Sequence, residues 1–200
     1  MRFAPFPHQF EEIKLEFDSI TYNNVFSNYN SKTLSETLTK KRYIKYTKNI
    51  NGWQDKYSKY LSCALGEFLL LLKNYGDKFY LNFLNPNGDL IYSDFRISDS
   101  HFYNYRGIYA YILNDNLKYI GRCRDSMKER INDGYGHISP VNTLKHGQSP
   151  NCRLNAKITK YKKQIKLYLH LMNSPEEIKI LEKEMICSLA PPWNIQHNNY

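Results

Sequence analysis

Gly107-Ile108-Tyr109-Ala110-Tyr111-Ile112-Leu113, then Asn114-Asp115-Asn116, then Leu117-Lys118-Tyr119-Ile120-Gly121 is the stretch on which the fold turns. The first run is rich in aromatic and β-branched residues, which suit a pleated, half-buried strand. Asn and Asp tolerate the tight backbone of a turn, and a second apolar run follows at once, so the pair reads as a β-hairpin. Tyr109 and Tyr119 then lie in adjacent strands, where both side chains can leave the same face. A tyrosine in such a place is either a core residue with its hydroxyl satisfied or a reactive group, and the hairpin alone admits both.

Downstream, Ser126 and Glu129 make an S-x-x-E capping box that opens a short helix ending near Gly134. Residues 134–150 carry Gly, Pro, Ser and Asn and read as a loop. Ser149-Pro150 opens a second helix to about Lys163, and Ile165 to Met172 alternates as a third strand. Ser174-Pro175-Glu176-Glu177 opens a third helix to about Leu189, closed by Pro191-Pro192. The order β-β-α-α-β-α specifies an α+β fold: a small mixed three-stranded sheet flanked by helices.

Upstream the signals are weaker. Trp53 to Tyr75 has the spacing of one helix, with Leu61, Leu65, Phe68, Leu69 and Leu72 on a buried face and Gly76 as its stop. Phe79–Phe83 and Leu90–Ile97 read as extended runs around an Asn85-Pro86-Asn87-Gly88 turn, a second hairpin. The first fifty residues are polar and weakly periodic and assign no element. The chain therefore divides into an N-terminal α/β extension, residues 1–104, and a second domain, residues 105–200.

Charge follows the same division. Residues 1–104 hold 13 Lys and Arg against 11 Asp and Glu, and residues 105–200 hold 15 against 8, so the halves carry +2 and +7 of the net +9. A basic excess gathered in one half suits a polyanion surface there, although a solvated basic face would look the same. The four cysteines, Cys63, Cys123, Cys152 and Cys187, have no CxxC spacing and no histidine cluster, which argues against structural zinc. The N-terminus has no apolar signal core, and the longest apolar stretch, Phe68 to Leu72, is far shorter than a membrane span. These features point to an intracellular, reducing environment with free thiols.

Three features can carry chemistry. In the third helix, Ile178, Leu181, Met185, Ile186 and Leu189 share an apolar arc at about 100° per residue, and Glu182 falls inside it. A carboxylate aimed at a core needs compensation, which a metal or a neighbouring Arg or Lys supplies equally well. Arg130 follows Met127 by one turn on the first helix, so its stem can pack while its guanidinium grips a phosphate or an ordinary ion-pair partner. Arg122 and Arg124 leave the second strand just before a helix N-terminus, a favourable place for an anion.

Together these residues resemble the GIY-YIG nuclease family. Gly107-Ile108-Tyr109 and Tyr119-Ile120-Gly121, with nine residues between the tyrosines, are similar to its name motif. Arg130 takes the place of its helix arginine and Glu182 that of its metal-binding glutamate. Pro192-Trp193-Asn194 resembles the Pro-aromatic-Asn that closes the domain. The resemblance covers about residues 105–196, and the tail Pro191–Gln196 is similar to that of small phage endonucleases which degrade host DNA. Some members carry a His or Tyr one turn beyond the arginine. Gly134 stands there in this chain, with Tyr135 as the preferred equivalent and His137 as the second.

The resemblance implies a metal-dependent endonuclease acting on double-stranded DNA, with 5′-phosphate and 3′-hydroxyl products. Glu182 would bind Mg²⁺, or another divalent cation such as Mn²⁺. Arg130 would neutralise charge on the phosphoryl oxygens. Tyr109 would take the proton of the attacking water, directly or through Tyr135 or His137, and the basic surroundings are expected to lower its pKa. Tyr119 would position water or phosphate, and Asn194 completes the catalytic set. Arg122, Arg124, Lys128, Asn151, Arg153 and Lys157 are the expected DNA contacts. Residues 1–104 would serve DNA recognition or oligomerisation, as a homodimer or higher homo-oligomer, and cleavage of both strands implies either a dimer or sequential nicking. A site-specific, restriction-like enzyme is the reading favoured here. A host-DNA-degrading or homing enzyme and a catalytically silent DNA-binding module are the alternatives.

Overall fold

The computed structural model describes residues 1–48 and 53–195; Gln196 of the tail motif lies outside the described residues. In chain order the elements are β1 (Glu11–Ile13), β2 (Leu15–Phe17), α1 (Leu34–Leu38), α2 (Lys41–Lys48), α3 (Trp53–Tyr57), α4 (Leu65–Asn74), β3 (Phe95–Ile97), β4 (Gly107–Leu113), β5 (Asn116–Cys123), a π-helix (Lys128–Tyr135), α5 (Pro140–Thr143), α6 (Ser149–Lys160), β6 (Ile165–Leu171) and α7 (Pro175–Leu189). The chain is thus of the α+β class. It separates into two compact units, each discontinuous in sequence. Met1–Thr21, Ser93–His137 and the described residues from Leu154 onward form the first; the described residues of Tyr22–Tyr92, with Ile138–Arg153, form the second.

The first unit is built on the hairpin. β4 and β5 pair antiparallel from Gly107↔Cys123 to Leu113↔Asn116, and Asn114 and Asp115 at the tip both take positive φ, at 50° and 59°. That double left-handed step matches the twist of the flanking strands, which is why Asn and Asp serve it. β6 pairs antiparallel along the other side of β4, and β1 pairs antiparallel with β6. The sheet order is β1-β6-β4-β5. The expected mixed three-stranded sheet is therefore a wholly antiparallel four-stranded one. Its fourth strand comes from the polar N-terminal segment, where three residues are too few for alternation to register.

β4 is buried along its whole length because both of its faces are covered. Ile108, Ala110 and Ile112 pack with Ile120 and with Ile178, Leu181, Met185 and Ile186 of α7. Tyr109, Tyr111 and Leu113 pack on the opposite face with Met127, Ile131, Tyr135, Leu154, Ile158 and Trp193. Of the apolar arc read from α7, Ile178, Leu181, Met185 and Ile186 are buried and Leu189 is half-buried, and Ser174 caps the helix by accepting the Glu177 N–H. β2 and β3 form a separate two-stranded antiparallel sheet.

The second unit has an aromatic core in which α4 buries Leu65, Phe68, Leu69 and Leu72. Two expectations fail there. The single helix over Trp53–Tyr75 is two helices, α3 and α4, with a 3₁₀ turn at Ser58–Tyr60 between them. The hairpin around Asn85–Gly88 does not form. Lys78–Phe83 winds as a 3₁₀ helix started by Asp77, whose carboxylate accepts the Phe79 N–H at 3.0 Å. Residues four apart share a side in a strand and in an α-helix alike, so the Phe79 and Phe83 spacing did not by itself mark a strand. Phe95–Ile97 is a strand, but its partner is β2, with Phe17 opposite Phe95. Asn85 does make a tight turn, accepting the Asn87 N–H at 2.8 Å, while its amide donates to Asn142 O at 2.8 Å. Within residues 134–150, α5 replaces part of the expected loop. Among the described residues no helix is long and apolar enough to cross a membrane, and the four cysteines are free thiols.

Candidate active site

The register of the hairpin decides where its tyrosines go. Tyr111 lies opposite Tyr119, and Tyr109 lies opposite Gly121, so all three phenols leave one face. Gly121 is there for close approach: a Cβ at that position would fall 2.4 Å from Tyr109 Cζ. The glycine of the second tripeptide thus leaves room for the tyrosine of the first. A bulge between Tyr111 and Ile112 leaves Lys118 of β5 without an opposite residue. Its carbonyl instead accepts the Trp193 N–H at 2.9 Å.

The π-helix closes over this face. Ser126 accepts the Glu129 N–H through its hydroxyl and the Arg130 N–H through its carbonyl, so the serine half of the expected capping box starts the turn. The next turns widen to an i→i+5 pattern, ending with Gly136 N–H on Ile131 O. At 3.6 residues per turn, positions 130 and 135 would point roughly 140° apart. In the wider turn they meet, with the Arg130 guanidinium 5.9 Å from the Tyr135 ring centroid. Two amides, one half-buried and one fully buried, hold this geometry. Asn132 Oδ1 accepts the Ile97 N–H at 2.9 Å, and Asn155 Nδ2 donates to Tyr135 O at 2.7 Å and Ser93 O at 2.8 Å.

The result is a cluster of four tyrosines and one arginine. The rings of Tyr109, Tyr119 and Tyr135 lie with the Tyr109 centroid 6.0 Å from each of the other two. Arg130 Nε donates to Tyr109 Oη at 3.1 Å, and the Tyr111 and Tyr135 hydroxyls are 3.1 Å apart. Burial pushes the Tyr109 phenol above its ordinary pKa; the charge of Arg130 and its hydrogen bond pull the other way and do not prevail. This reverses the expectation that a basic setting would lower it, because desolvation is the larger of the opposing effects. Burial likewise holds Tyr119 and Tyr135 well above the ordinary phenol range. The phenols around it, Tyr109 first, keep Arg130 firmly cationic.

Glu182 stands on α7 with its carboxylate 2.6 Å from Arg122 Nη1 on β5. Its charge reaches the cluster, since it is among the influences that raise Tyr119. The arginine partner weighed as an alternative to a metal is therefore present, and it is one of the residues expected to contact DNA. Asn194 pairs with the edge of β5 like a short added strand: its Oδ1 accepts the Ile120 N–H at 3.0 Å and its Nδ2 donates to Ile120 O at 2.7 Å. Trp193 beside it stacks on Tyr161 at 6.0 Å, with Lys157 Nζ 5.2 Å from the indole centroid.

Of the expected catalytic residues, Tyr109, Tyr119, Arg130 and Tyr135 come together, and Glu182 adjoins them through Arg122 and Tyr119. His137 does not join: it is exposed, with Nδ1 3.1 Å from Asp94. Arg124 and Lys128 are exposed on the chain between β5 and the π-helix and on that helix itself. Asn151 and Arg153 are half-buried on the part of α6 that belongs to the second unit. Two residues were not anticipated. Tyr111 could have been found from its two-residue offset from Tyr109, which puts both phenols on one face. Asn155 sits between Leu154 and Ile158 on α6 and is fully buried, so a polar residue within an apolar stretch was its only signal.

Glu182 is a carboxylate, the donor type that Mg²⁺ or Mn²⁺ prefers, and among the described residues no group of three or more His, Cys, Asp or Glu stands together to hold a metal ion. A carboxylate offers about four acceptor positions, so sharing Glu182 with Arg122 is compatible with a metal contact. No protein family, curated protein or solved structure matches the chain.

Proposed function

We propose that the chain is a metal-dependent endodeoxyribonuclease of the GIY-YIG kind, cleaving duplex DNA with the tyrosine–arginine cluster of the first unit. The observation that carries this reading is the 3.1 Å hydrogen bond from Arg130 Nε to Tyr109 Oη, beside the buried ring of Tyr135 and the half-buried ring of Tyr119. A guanidinium bound through Nε keeps both Nη groups for a phosphate, in the fork geometry that suits two non-bridging oxygens. Arg130 then neutralises charge on the phosphorus oxygens as the attacking water adds.

Tyr109 is the proton acceptor in this reading. Water oxygen bonds to phosphorus, its proton passes to the Tyr109 phenolate, and the bond to the 3′ oxygen breaks with its electron pair, leaving a 5′-phosphate and a 3′ oxygen that takes a proton from solvent. At neutral pH the phenol is almost wholly protonated, because burial outweighs the pull of Arg130. The reactive phenolate is a minority form, and the rate rises with pH through the neutral and mildly alkaline range. Tyr119 and Tyr135 confine the water and the phenol by packing against the Tyr109 ring. Glu182 would hold a divalent cation, which when bound supplies charge neutralisation at the phosphate and the leaving oxygen.

The Arg122–Glu182 pair favours a second reading, a DNA-binding module without catalysis, since it satisfies the carboxylate without a metal. Incubation of wild type and Glu182→Gln with long duplex DNA, in Mg²⁺ or EDTA, followed by sequencing of the ends, separates the two. Nuclease action gives Mg²⁺-dependent 5′-phosphate ends that the variant does not produce. Binding without cuts by wild type selects the silent module. Cuts at one repeated sequence define a restriction-like enzyme, and a smear of ends defines a degradative one.

A further inference from the structure

We propose that Arg42, Lys45, Lys145 and His146, gathered round Tyr43 and Tyr46 in the second unit, form a surface that binds the phosphate backbone of duplex DNA. The choice of DNA among polyanions rests on the nuclease reading; the anion chemistry stands on the second unit alone.

α2 supplies half of the surface and the turn after α5 the other half. Lys45 Nζ and Lys145 Nζ lie 5.2 and 5.7 Å from the centroid of one ring, Tyr46. Arg42 lies 5.9 Å from the Tyr43 centroid, and the His146 ring 6.2 Å from it. Tyr43 stacks on buried Phe83 at 5.3 Å, and Lys145 N–H donates to Phe83 O at 2.7 Å. The cations are thus fastened to a rigid aromatic base, while Arg42, Lys45, Lys145 and His146 are themselves exposed.

Like charges held together in this way are costly unless an anion joins them. Among the described residues none of these four takes part in an ion pair. Two acids of the unit are engaged elsewhere, Asp77 by Lys56 at 2.7 Å and Asp89 by Lys73 at 2.6 Å. Desolvation, then the charges of Arg42, Lys145 and Lys40, hold the His146 imidazole below its ordinary value. Desolvation, then Lys32, lower Lys40, and Arg42 adds to this. Exposed cations over aromatic rings present N–H donors outward, and a sugar-phosphate backbone offers a row of matching acceptors. The near-neutral sum over residues 1–104 concealed the surface, because Glu11, Glu12, Glu16 and Asp18 belong to the first unit.

The test is equilibrium binding of the full chain to a duplex of random sequence in EDTA, over a series of salt concentrations. Two doubles that each remove two charges from the second unit are compared, Lys45→Ala/Lys145→Ala and Lys59→Ala/Lys78→Ala, with thermal melts to show that both fold. Each lost phosphate contact lowers the slope of log K against log salt by about 0.9, so the first double should lose about two and the second none. Equal slopes for the first double and wild type overturn the proposal. So do equal losses in both doubles, or no wild-type binding at low salt. Cleavage is read separately: Mg²⁺-dependent cutting with an unchanged slope removes this surface and keeps the nuclease. A reduced slope without cutting keeps the surface and removes the nuclease.

Discussion

The two faces of β4 come from the same seven residues and do different things. Ile108, Ala110 and Ile112 look toward α7 and meet only aliphatic side chains and a few rings. Tyr109 and Tyr111, one residue out of step, look toward the π-helix and meet two more phenols and a guanidinium. β4 itself is buried on both faces, so burial of the strand does not distinguish them, while Tyr119 is half-buried and Arg130 exposed at the rim of the phenol face. The difference lies in how the buried polar atoms are satisfied. On the aliphatic side the Tyr168 hydroxyl donates outward to Glu12, and the phenol face satisfies its hydroxyls mutually and through one cation. A buried network of this kind is costly when incomplete, which makes it a place to store chemistry and a poor place to gain stability.

Tyr109→Phe should show the largest separation between the faces. It keeps the ring and its packing over Gly121 and removes only the hydroxyl that Arg130 donates to. Cleavage should fall by about 10²–10⁴-fold, the usual worth of a positioned proton acceptor, while stability shifts by about 1 kcal/mol. Single-turnover cleavage and urea melts of the same preparation measure both. A loss under tenfold would return Tyr109 to the core. The mirror experiment is Ile178→Ala on α7, which opens a cavity against the aliphatic face. It should cost about 2–5 kcal/mol of stability and, in conditions where the protein stays folded, leave the single-turnover rate within a few-fold of wild type. A large rate loss there would mean that the faces are coupled through β4.

How far each face could be read from sequence follows from what each depends on. The aliphatic face needs only period: alternation along β4 and an apolar arc on α7, both visible in the residues. The hairpin turn was equally local, fixed by Asn114 and Asp115 at positive φ. The phenol face was legible as far as the tyrosines, Arg130 and Glu182, because the hairpin and capping box place the first three and the α7 arc the last. What escaped was set by partners distant in sequence. The widened turns of the π-helix, which bring Tyr135 rather than His137 to Arg130, are braced by Ile97 N–H and by Asn155, beyond the reach of a local pattern. The sign of the Tyr109 shift also escaped. It depends on complete burial, and a sequence shows the cation but not the exclusion of water. In the second unit, the spacing of Phe79 and Phe83 did not by itself mark a strand, and the Asp77 cap starts a 3₁₀ helix there.

The smallest expected effect sharpens the comparison from the alkaline side. Tyr80, Tyr168 and the phenols of the cluster all have raised folded-state values, Tyr80 and Tyr168 to about 12. A phenol with a raised value favours the neutral form in the folded chain. Its contribution to stability is therefore fully present below the ordinary value of about 10 and lost as pH rises past it. For Tyr80 and Tyr168, whose hydroxyls bond to Asp89 and Glu12, that window runs from about 10 to about 12. The cluster phenols should stay neutral until the unit opens, so their tyrosinate absorbance should appear together with loss of the far-ultraviolet helix signal. Tyr135→Phe removes one such group and should move the alkaline midpoint upward by a few tenths of a pH unit, on the order of what one shifted group contributes. Ile112 itself carries no titrating group, so a further truncation on the aliphatic face, Ile112→Val, should lower stability by about the same amount at pH 7 and pH 11. If the cluster phenols ionise near pH 10 with the helix signal intact, water reaches them in the folded chain. The phenol face would then be a wet, ordinary surface, and the contrast between the two sides of β4 would be lost.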